Sequence, residues 1–591
     1  MSSVMSLTAL KNSVKRNGFD LSFKNAFTAK VGELLPVMCK EVYPGDKFNI
    51  RGQAFTRTQP VNSAAYSRLR EYYDFYFVPY RLLWNMAPTF FTNMPDPHHA
   101  ASPTTSVSLD ERHPWFTFFD LMEYLGNLNS LSDTYEKYKK NFFGFSRLEL
   151  TCKLLNYLNY GIGKDYESIK VPSDSDNILL SPFPLLAYQK ICEDYFRDDQ
   201  WQNAAPYRYN LDYLYSMNNG YHIPIPSFTK DDFKNPTMFD LNYCNFQKDY
   251  FTGMLPKAQY GDVAFAPIDL ANSQSYLTLG DGNTQDMGTA IAGFHTNGST
   301  TDPQTYGIKA TSSGGTGYKQ MLLDLDSRLS VLALRQAECL QKWREIAQSG
   351  KMDYQTQMQK HFNVSPSETL SGHCKYLGGW TSNLDISEVV NTNLTGDNQA
   401  DIQGKGTGTL NGNKVDFEAK EHGIIMCIYH CLPLLDWSIN RIARQNFKTA
   451  FTDYAIPEFD SIGMQQLYAS EMIFGLEDLP EDPTSINMGY VPRYADLKTS
   501  IDEIHGSFID TLVSWVSPLT ESYMSAYRQA CKDAGFSDIT MTYNFFKVNP
   551  HIVDNIFGVQ ADSSINTDQI LINSFFDIKA VRNFDYNGLP Y

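Results

Sequence analysis

The sequence predicts a mainly β protein with α-helical insertions, in which strands from both ends of the chain join one sheet. Residues 69–77 alternate with a period of two and are rich in aromatic side chains, which is typical of a strand. No Asn-Gly or Asp-Gly hairpin turn lies nearby, so the partners of this strand must come from distant parts of the chain. Segments with a similar pattern lie toward both ends, at residues 31–55, 423–435 and 570–584.

The segment 69–77 is the best-defined strand in the sequence. The alternation places five side chains on one face, namely Leu69, Glu71, Tyr73, Phe75 and Phe77. We expect this strand to end near Pro79, because proline has no N–H group to donate to a neighbouring strand. Residues 31–55 form either two short strands or one bent strand, since the sequence Tyr-Pro-Gly-Asp at 43–46 has the composition of a turn.

Helical patterns occupy the middle of the chain, where apolar side chains recur at positions i, i+3 and i+4. One helix begins at Ser181, an N-cap residue, with Pro182 at its first helical position. The clearest helix precedes Gly350, which is suited to a C-terminal cap. Helices are thus predicted at residues 115–128, 147–160, 181–201, 327–348, 353–362, 465–474 and 521–534, with strands again from residue 376 onward.

We expect residues 1–19 to form a basic N-terminal arm and residues 20–591 to form a single domain with insertions. No Pro/Ser-rich linker, low-complexity segment or internal repeat divides the chain. Between residues 262 and 317, Gly, Ser, Thr, Asn and Asp predominate and the periodicity disappears. A segment of this composition buries too little apolar surface to form a core, so we expect a surface-exposed variable loop there.

The composition favours a protein with large permanent interfaces, because aromatic residues reach 14% while charged residues are only 19%. A large aromatic core is the alternative interpretation. The nine cysteines form no C-x-x-C pair, which argues against a disulfide framework and for a reducing compartment. The N-terminal segment lacks the apolar run of a secretory signal, and the apolar run at 424–435 is too short to span a bilayer. We therefore expect a soluble protein made in a cytoplasm.

The net charge of −17 argues against a general nucleic-acid binder. The charge is uneven, however, since residues 1–60 hold nine basic and four acidic side chains and the remainder carries −22. A basic N-terminal segment on an acidic body suggests that one face of the protein meets phosphate and another does not. The alternative is a charged terminus that is merely solvated. The candidate nucleic-acid-facing side chains are Lys11, Lys15, Arg16 and Lys24.

Motifs for catalysis or cofactor binding are absent from the sequence, which contains no G-x-S-x-G, P-loop, G-x-G-x-x-G, H-E-x-x-H or EF-hand pattern. We predict no catalytic, cofactor-binding or metal-binding residue. The glycine-rich GKGTGT at 404–409 lacks a following helix to present amides to a phosphate, so we interpret it as a turn. The Cys and His residues at 421–431 cannot converge from a single strand, and we expect them to pack in the core.

Seven segments carry a resemblance to a known family, in the order expected of it: FYFVPYRLLW (75–84), AYQKICEDYFRDDQW (187–201), KDYFTGMLPKAQYGDV (248–263), LRQAECLQKWREIA (334–347), YLGGW (376–380), EHGIIMCIYH (421–430) and VRNFDYNGLPY (581–591). From near residue 20 to its end, the chain resembles the major capsid protein of the Microviridae, small tailless phages with circular single-stranded DNA. Departures at 245–248, at 372–374 and at Asn363 indicate a divergent branch.

The resemblance implies an eight-stranded antiparallel viral jelly roll with very long inter-strand loops. It implies a structural protein, without cofactor or enzymatic activity, that self-assembles into a T=1 icosahedral shell around a circular single-stranded DNA genome. The implied partners are further copies of the chain, the packaged DNA, a small basic internal protein, a DNA pilot protein and a host surface receptor, without membrane insertion. The implied location is the virion, with assembly in the cytoplasm of the bacterial host.

Two functions from other classes remain as alternatives, a host-binding spike protein and a glycan-binding or glycan-degrading β protein. Aromatic side chains and paired carboxylates at 193–194 or 198–199 would favour the second. Adjacent positions on a helix point in different directions, however, so neither pair can flank one glycosidic bond.

Overall fold

The structure is a computed structural model, and it describes residues 16–61, 66, 68–92, 112–130, 136–163, 178–214, 222–223, 236–259, 261, 277–279, 295–296, 306–307, 321–323, 331–351, 353–364, 371–390, 402–437, 441–472, 486–519, 521–533, 541–557 and 567–586. The chain divides into two structural units. The first comprises Met1–Ala258, Met352–Gln359 and Val364–Tyr591, and the second comprises Gln259–Lys351 and Lys360–Asn363.

The secondary structure is mainly β, with helices between the strands. The strands are β1 (Asn17–Asp20), β2 (Phe23–Ala29), β3 (Leu35–Val42), β4 (Lys47–Thr58), β5 (Leu69–Pro79), β6 (Phe116–Thr117), β7 (Leu179–Leu180), β8 (Leu277–Leu279), β9 (His295–Thr296), β10 (Tyr306–Gly307), β11 (Met321–Leu323), β12 (Lys375–Val390), β13 (Ile402–Asn411), β14 (Val415–Glu418), β15 (Gly423–Pro433), β16 (Asp436–Trp437), β17 (Met464–Tyr468), β18 (Asn487–Pro492), β19 (Pro518–Leu519) and β20 (Ile570–Arg582). The helices are α1 (Ala87–Thr92), α2 (Phe118–Asn129), α3 (Glu136–Lys139), α4 (Arg147–Tyr157), α5 (Phe183–Ile191), α6 (Val331–Gln348), α7 (Tyr354–Phe362), α8 (Ala469–Met472), α9 (Ala495–Lys498) and α10 (Glu521–Asp533).

Ten of the described strands form one antiparallel sheet, in which β1 pairs with β20 and β14 with β4. The other eight strands make up two halves of it, which we call sheet 1 and sheet 2. Sheet 1 has the order β2-β20-β4-β13, and sheet 2 has the order β12-β5-β15-β3. Numbered by their order in the chain, the strands read 1-8-3-6 in sheet 1 and 5-4-7-2 in sheet 2. The far end of β12 also pairs with β13, which joins the two sheets along one edge. This connectivity is that of a jelly roll, and the predicted fold is confirmed.

The strand β5 has the distant partners that its sequence predicts, since it lies between β15 and β12. Its five alternating side chains all face the interior and are buried. Aromatic rings from the two sheets meet there: the ring centroids of Phe27 and Tyr429 are 5.1 Å apart, and those of Phe75 and Phe576 are 6.5 Å apart. These aromatic rings therefore form part of the core between the sheets.

The outer sides of the two sheets differ. Every residue of β15, the central strand of sheet 2, is buried, because helical insertions cover the outer side of that sheet. Tyr195 and Phe196, in the π-helical turn that follows α5, contact Tyr76 and His430 of sheet 2 at centroid distances of 4.7 and 5.4 Å. In sheet 1, β4 and β20 instead alternate buried and exposed residues along most of their length. The outer side of sheet 1 is therefore open to solvent.

Most of the predicted helices are present, as α2, α4, α5, α6, α7 and α10. The helix α5 begins one residue later than expected, with Pro182 at the N-cap position. The helix predicted at 465–474 is wrong over its first half, where Gln465–Tyr468 belongs to β17 and pairs with β18. That pairing joins segments about 25 residues apart, which a local pattern does not show.

The turn predicted at 404–409 is also wrong, because these residues lie in β13. The glycines serve close packing rather than chain reversal. A Cβ atom at Gly406 would lie 2.5 Å from a methyl carbon of Thr58, and one at Gly408 would lie 3.1 Å from a carboxylate oxygen of Glu71.

The second unit contains α6, whose apolar side chains repeat with the predicted helical period. Leu334 and Trp343 are about half exposed. The Trp343 ring stacks on that of His361 at 5.4 Å. The variable loop predicted at 262–317 lies mostly outside the described residues, with β8, β9 and β10 as its described parts. The loop remains a prediction.

Candidate nucleic-acid interface

Three rows of side chains cross the open side of sheet 1, because residues paired between antiparallel strands share a face. We call this set the exposed sheet face, and it consists of Lys24, Phe575, Gln53 and Asn411 in one row, Asn573, Phe55 and Thr409 in the next, and Leu571, Arg57 and Thr407 in the third. The alternating sequence of each strand produces this face, since Phe48, Ile50 and Ala54 point inward between the exposed residues of β4.

Aromatic rings and cations occur together on the exposed sheet face. The side chains of Phe55 and Phe575 are 40% and 45% exposed, although phenylalanine is usually buried. The guanidinium carbon of Arg57 lies 4.9 Å from the centre of the Phe55 ring. Amide and hydroxyl side chains fill the positions between them. Proteins that bind single-stranded nucleic acid combine these groups, because rings stack on bases and cations contact phosphates.

The charges of sheet 1 are distributed unevenly along its strands. Near β1, the ammonium group of Lys579 lies 2.5 Å from a carboxylate oxygen of Asp20 and 3.3 Å from one of Asp577. The hydrogen bond from Lys579 lowers the pKa of Asp20 and raises that of Lys579 itself. Near β14, Lys47 pairs with Glu418 at 3.1 Å. By contrast, no described carboxylate lies within ion-pair distance of Lys24 or Arg57 on the exposed sheet face.

The four predicted nucleic-acid-facing residues do not all lie on one surface of the described structure. Lys24 lies on the exposed sheet face, in β2. Arg16 precedes β1 at the edge of sheet 1, is exposed, and donates a hydrogen bond from Nε to Oδ1 of Asn583 at 3.0 Å. Lys11 and Lys15 lie outside the described residues. Sequence reasoning missed Arg57, although the alternation of basic and apolar residues in β4 is visible in the sequence.

Two phenylalanines that could have stacked on bases instead anchor the N-terminal segment. Phe23 stacks on Phe576 at a centroid distance of 5.3 Å, and Phe27 contacts Tyr429 in the core. Both rings therefore anchor this segment to the jelly roll.

The paired carboxylates that favoured a glycan-degrading enzyme are engaged in ion pairs. Glu193 and Asp199 both pair with Arg197, and Asp194 pairs with Lys190 at 2.8 Å. Burial opposes ionisation of Asp194, but the adjacent His373 and Lys190 outweigh it and lower the pKa of this carboxyl. A catalytic acid of a glycosidase needs a raised pKa. The arrangement therefore stabilises the insertion rather than supplying an acid.

Of the Cys and His residues predicted to pack in the core, Cys427, His430 and Cys431 do so, whereas His422 is only half-buried. Cys427 and Cys431 are fully buried, and His430 stacks on Tyr72 at 4.9 Å on the opposite face of the strand. Over the part of the chain that the structure describes, no group of three or more His, Cys, Asp or Glu side chains could hold a metal ion. None of the described helices combines the length and the apolar character needed to cross a bilayer.

Comparison with known proteins shows the family to which this chain belongs. The sequence matches the family model described as capsid protein (F protein) over residues 8–139 and 159–590. The chain belongs to this capsid protein family. It is 24% identical over 508 residues to capsid protein VP1 of Bdellovibrio phage phiMH2K, covering 83% of this chain and 82% of the relative. It is also 24% identical over 563 residues to capsid protein VP1 of Chlamydia phage 1, covering 85% and 86%.

The resemblance to the major capsid protein of the Microviridae is thereby confirmed. As a phage capsid protein, the chain has a structural role, self-assembles into a shell and resides in the virion. Its functional surfaces are consequently those that meet other copies of the chain and the contents of the shell.

Proposed function

We propose that this capsid protein forms a T=1 icosahedral shell around a circular single-stranded DNA genome, with the exposed sheet face on the inside. One observation carries the proposal. Insertions cover the outer side of sheet 2, whereas sheet 1 leaves aromatic rings and cations open to solvent. A covered side suits contacts with the surroundings and with other subunits, and an open side with rings and cations suits the genome.

The exposed sheet face would bind DNA without reading its sequence. Lys24 and Arg57 would neutralise phosphates, and each phosphate contact on a single strand contributes roughly −0.7 to the slope of log K against log salt. Phe55 and Phe575 would stack on bases, at about 1–3 kcal/mol for each stacked base. Binding of this kind tolerates any sequence, as packaging of a whole genome requires.

The N-terminal arm and further proteins would share the neutralisation of the DNA. The arm runs into β1, which lies at the edge of sheet 1, so Lys11, Lys15 and Arg16 would reach the same compartment. A small basic internal protein and a DNA pilot protein are proposed as further partners inside the shell, and a host surface receptor as a partner outside. The protein would carry out no enzymatic reaction, and assembly would take place in the cytoplasm of the bacterial host.

The test is a double substitution, Lys24→Gln with Arg57→Gln. The slope of log K against log salt for single-stranded DNA should flatten by about 1.4 per subunit if each side chain contacts one phosphate. The DNA content of particles formed with the other proteins of the phage should fall as well.

The matched control is Lys47→Gln with Lys414→Gln, which removes the same charge from lysines paired with Glu418 and Asp416 at 3.1 and 2.9 Å. This control should leave the slope nearly unchanged. An unchanged slope and DNA content in the first variant would assign neutralisation to the arm or to a basic internal protein.

A further inference from the structure

One set of five large apolar side chains is exposed on two segments between β15 and β20. We call it the apolar patch, and its members with their exposed fractions are Phe451 (80%), Tyr454 (56%), Phe459 (38%), Ile462 (64%) and Leu497 (62%). They belong to two segments, 444–462 and 494–498, that are held together by side-chain contacts. The exposed area of the five side chains together is on the order of 500 Å².

Hydrogen bonds brace the two segments that carry the apolar patch. The carboxylate of Asp453 accepts hydrogen bonds from the backbone N–H groups of Thr449 and Ala450 at 3.0 and 2.7 Å. The backbone N–H of Ile456 donates to the hydroxyl of Tyr494 at 3.2 Å, which joins the two segments. Tyr494 itself has a φ of 56°, a left-handed conformation that is strained for tyrosine. A surface fixed in advance loses little conformational entropy when it binds.

Cations beside the apolar patch already have carboxylate partners within the chain. Lys448 pairs with Asp496 at 2.8 Å, and Lys498 pairs with Asp460 at 2.6 Å. Arg444 pairs with the buried carboxylate of Glu471 at 2.9 Å. Covering the apolar patch would therefore leave these charges paired, which removes the main penalty of burying an ion. The same pairing makes these cations poor partners for DNA phosphates.

We propose that the apolar patch is a contact surface between neighbouring copies of this chain in the shell. The inference rests on the capsid function and names one of the surfaces that self-assembly requires. A stable protein interface buries about 800 Å² on each partner, and the apolar patch would supply more than half of that area. A shell provides many copies of one partner in a fixed orientation, and the patch has the apolar, aromatic character of an interface centre.

The first test is Phe451→Asp with Leu497→Asp, expressed together with the other proteins of the phage. Both positions are exposed in the subunit, so the variant should fold with the circular dichroism spectrum of the wild type. The yield of particles, measured by sedimentation and negative-stain imaging, should fall roughly tenfold or more, since a loss of 1.4 kcal/mol per contact is already tenfold.

The matched control is Phe119→Asp with Tyr213→Asp, which alters two exposed aromatic residues outside the patch. This control should form particles. Particle formation by the Phe451 and Leu497 variant at the wild-type yield would overturn the inference, as would equal loss in the control.

A second measurement does not depend on the folding of a variant. A photo-reactive phenylalanine analogue at position 451 should give covalent dimers of the chain in assembled particles, and the same analogue at position 213 should give far fewer. Particles in which position 451 yields no dimers would overturn the inference and leave the proposed DNA-facing surface intact. Failure of the wild-type chain to form particles with its phage partners would overturn both.

Discussion

At the scale of single residues, Glu71 is unusual because its ionisable carboxyl group lies in the apolar interior of the jelly roll. Glu71 is buried between the two sheets, and one of its oxygens accepts hydrogen bonds from Thr56 at 2.9 Å and from Tyr429 at 2.7 Å. Burial raises the pKa of Glu71 above its ordinary value. The folded state therefore favours the protonated form, and ionisation of this group opposes folding.

This raised pKa predicts how stability changes with pH. At a pH between the ordinary and the raised pKa, Glu71 is protonated in the folded protein but ionised in the unfolded chain. Its contribution to the free energy of unfolding is therefore complete below the ordinary pKa of glutamate and decreases as the pH rises through the raised pKa. Glu71→Gln should therefore reduce the fall in Tm between pH 4.5 and pH 8. At pH 8, the Tm of the variant should equal or exceed that of the wild type.

Glu71→Leu is the comparison variant, because it removes the acceptor for both hydroxyls. It should lose about 1–3 kcal/mol of stability by leaving buried donors unpaired. A larger pH dependence in the Gln variant than in the wild type would contradict the assignment.

A pair of glycines tests the close packing around Trp380. A Cβ atom at Gly52 would overlap the indole ring of Trp380, whereas one at Gly126, within α2, would meet no atom within 4 Å. Gly52→Ala should destabilise the protein by about 1–3 kcal/mol through overpacking. Gly126→Ala should stabilise it by about 0.5–1 kcal/mol, because glycine is unfavourable inside a helix. Opposite shifts in Tm are expected, and shifts of the same sign would contradict the packing argument.

At the scale of elements, strands whose own alternation is strong could be predicted from sequence, and strands that depend on distant partners could not. Residues 69–77 and 570–584 alternate clearly and form β5 and β20. The glycines of β13 are needed because Thr58 and Glu71 pack closely against them. No local sequence pattern shows these contacts. Likewise Lys24 was found from charge, but Arg57, Phe55 and Phe575 required knowledge of which side of sheet 1 stays open.

The start of α2 offers a test of a locally encoded element. The hydroxyl of Thr117 accepts a hydrogen bond from the Asp120 N–H at 3.0 Å, and the Asp120 carboxylate accepts one from the Thr117 N–H at 2.7 Å. Thr117→Ala should cost about 1 kcal/mol. Hydrogen exchange measured by mass spectrometry should show faster exchange in the first turn of α2. Thr117→Ser keeps the hydroxyl and should exchange like the wild type, and equally fast exchange in both variants would exclude this cap.

At the scale of the whole molecule, the jelly roll keeps the exposed sheet face and the apolar patch on separate parts of the chain. Sheet 1 leaves one side open, insertions cover sheet 2, and the apolar patch lies on an insertion between β15 and β20. A single chain can thereby hold surfaces for its contents and for its neighbours without competition between them.

We predict that the variable loop acts outside the shell and is not needed for particle assembly. Replacing residues 272–315 with a short Gly-Ser linker should leave particle assembly intact, because a segment of this composition contributes little to a core. Infection of the host should decrease, measured as plaque-forming units per particle. Aggregation of the shortened chain would show instead that the segment is structural.

The pairing of β2 with β20 sets an order of events during protein synthesis. Phe23 lies opposite Phe576, so sheet 1 lacks its second strand until residues 570–582 have left the ribosome. At about 5–20 residues per second, the early strands wait roughly 30–110 s for that partner. A prematurely terminated chain cannot complete sheet 1 and presents no finished surface to a growing shell. The topology thus predicts that chains terminated before β20 are not incorporated into particles.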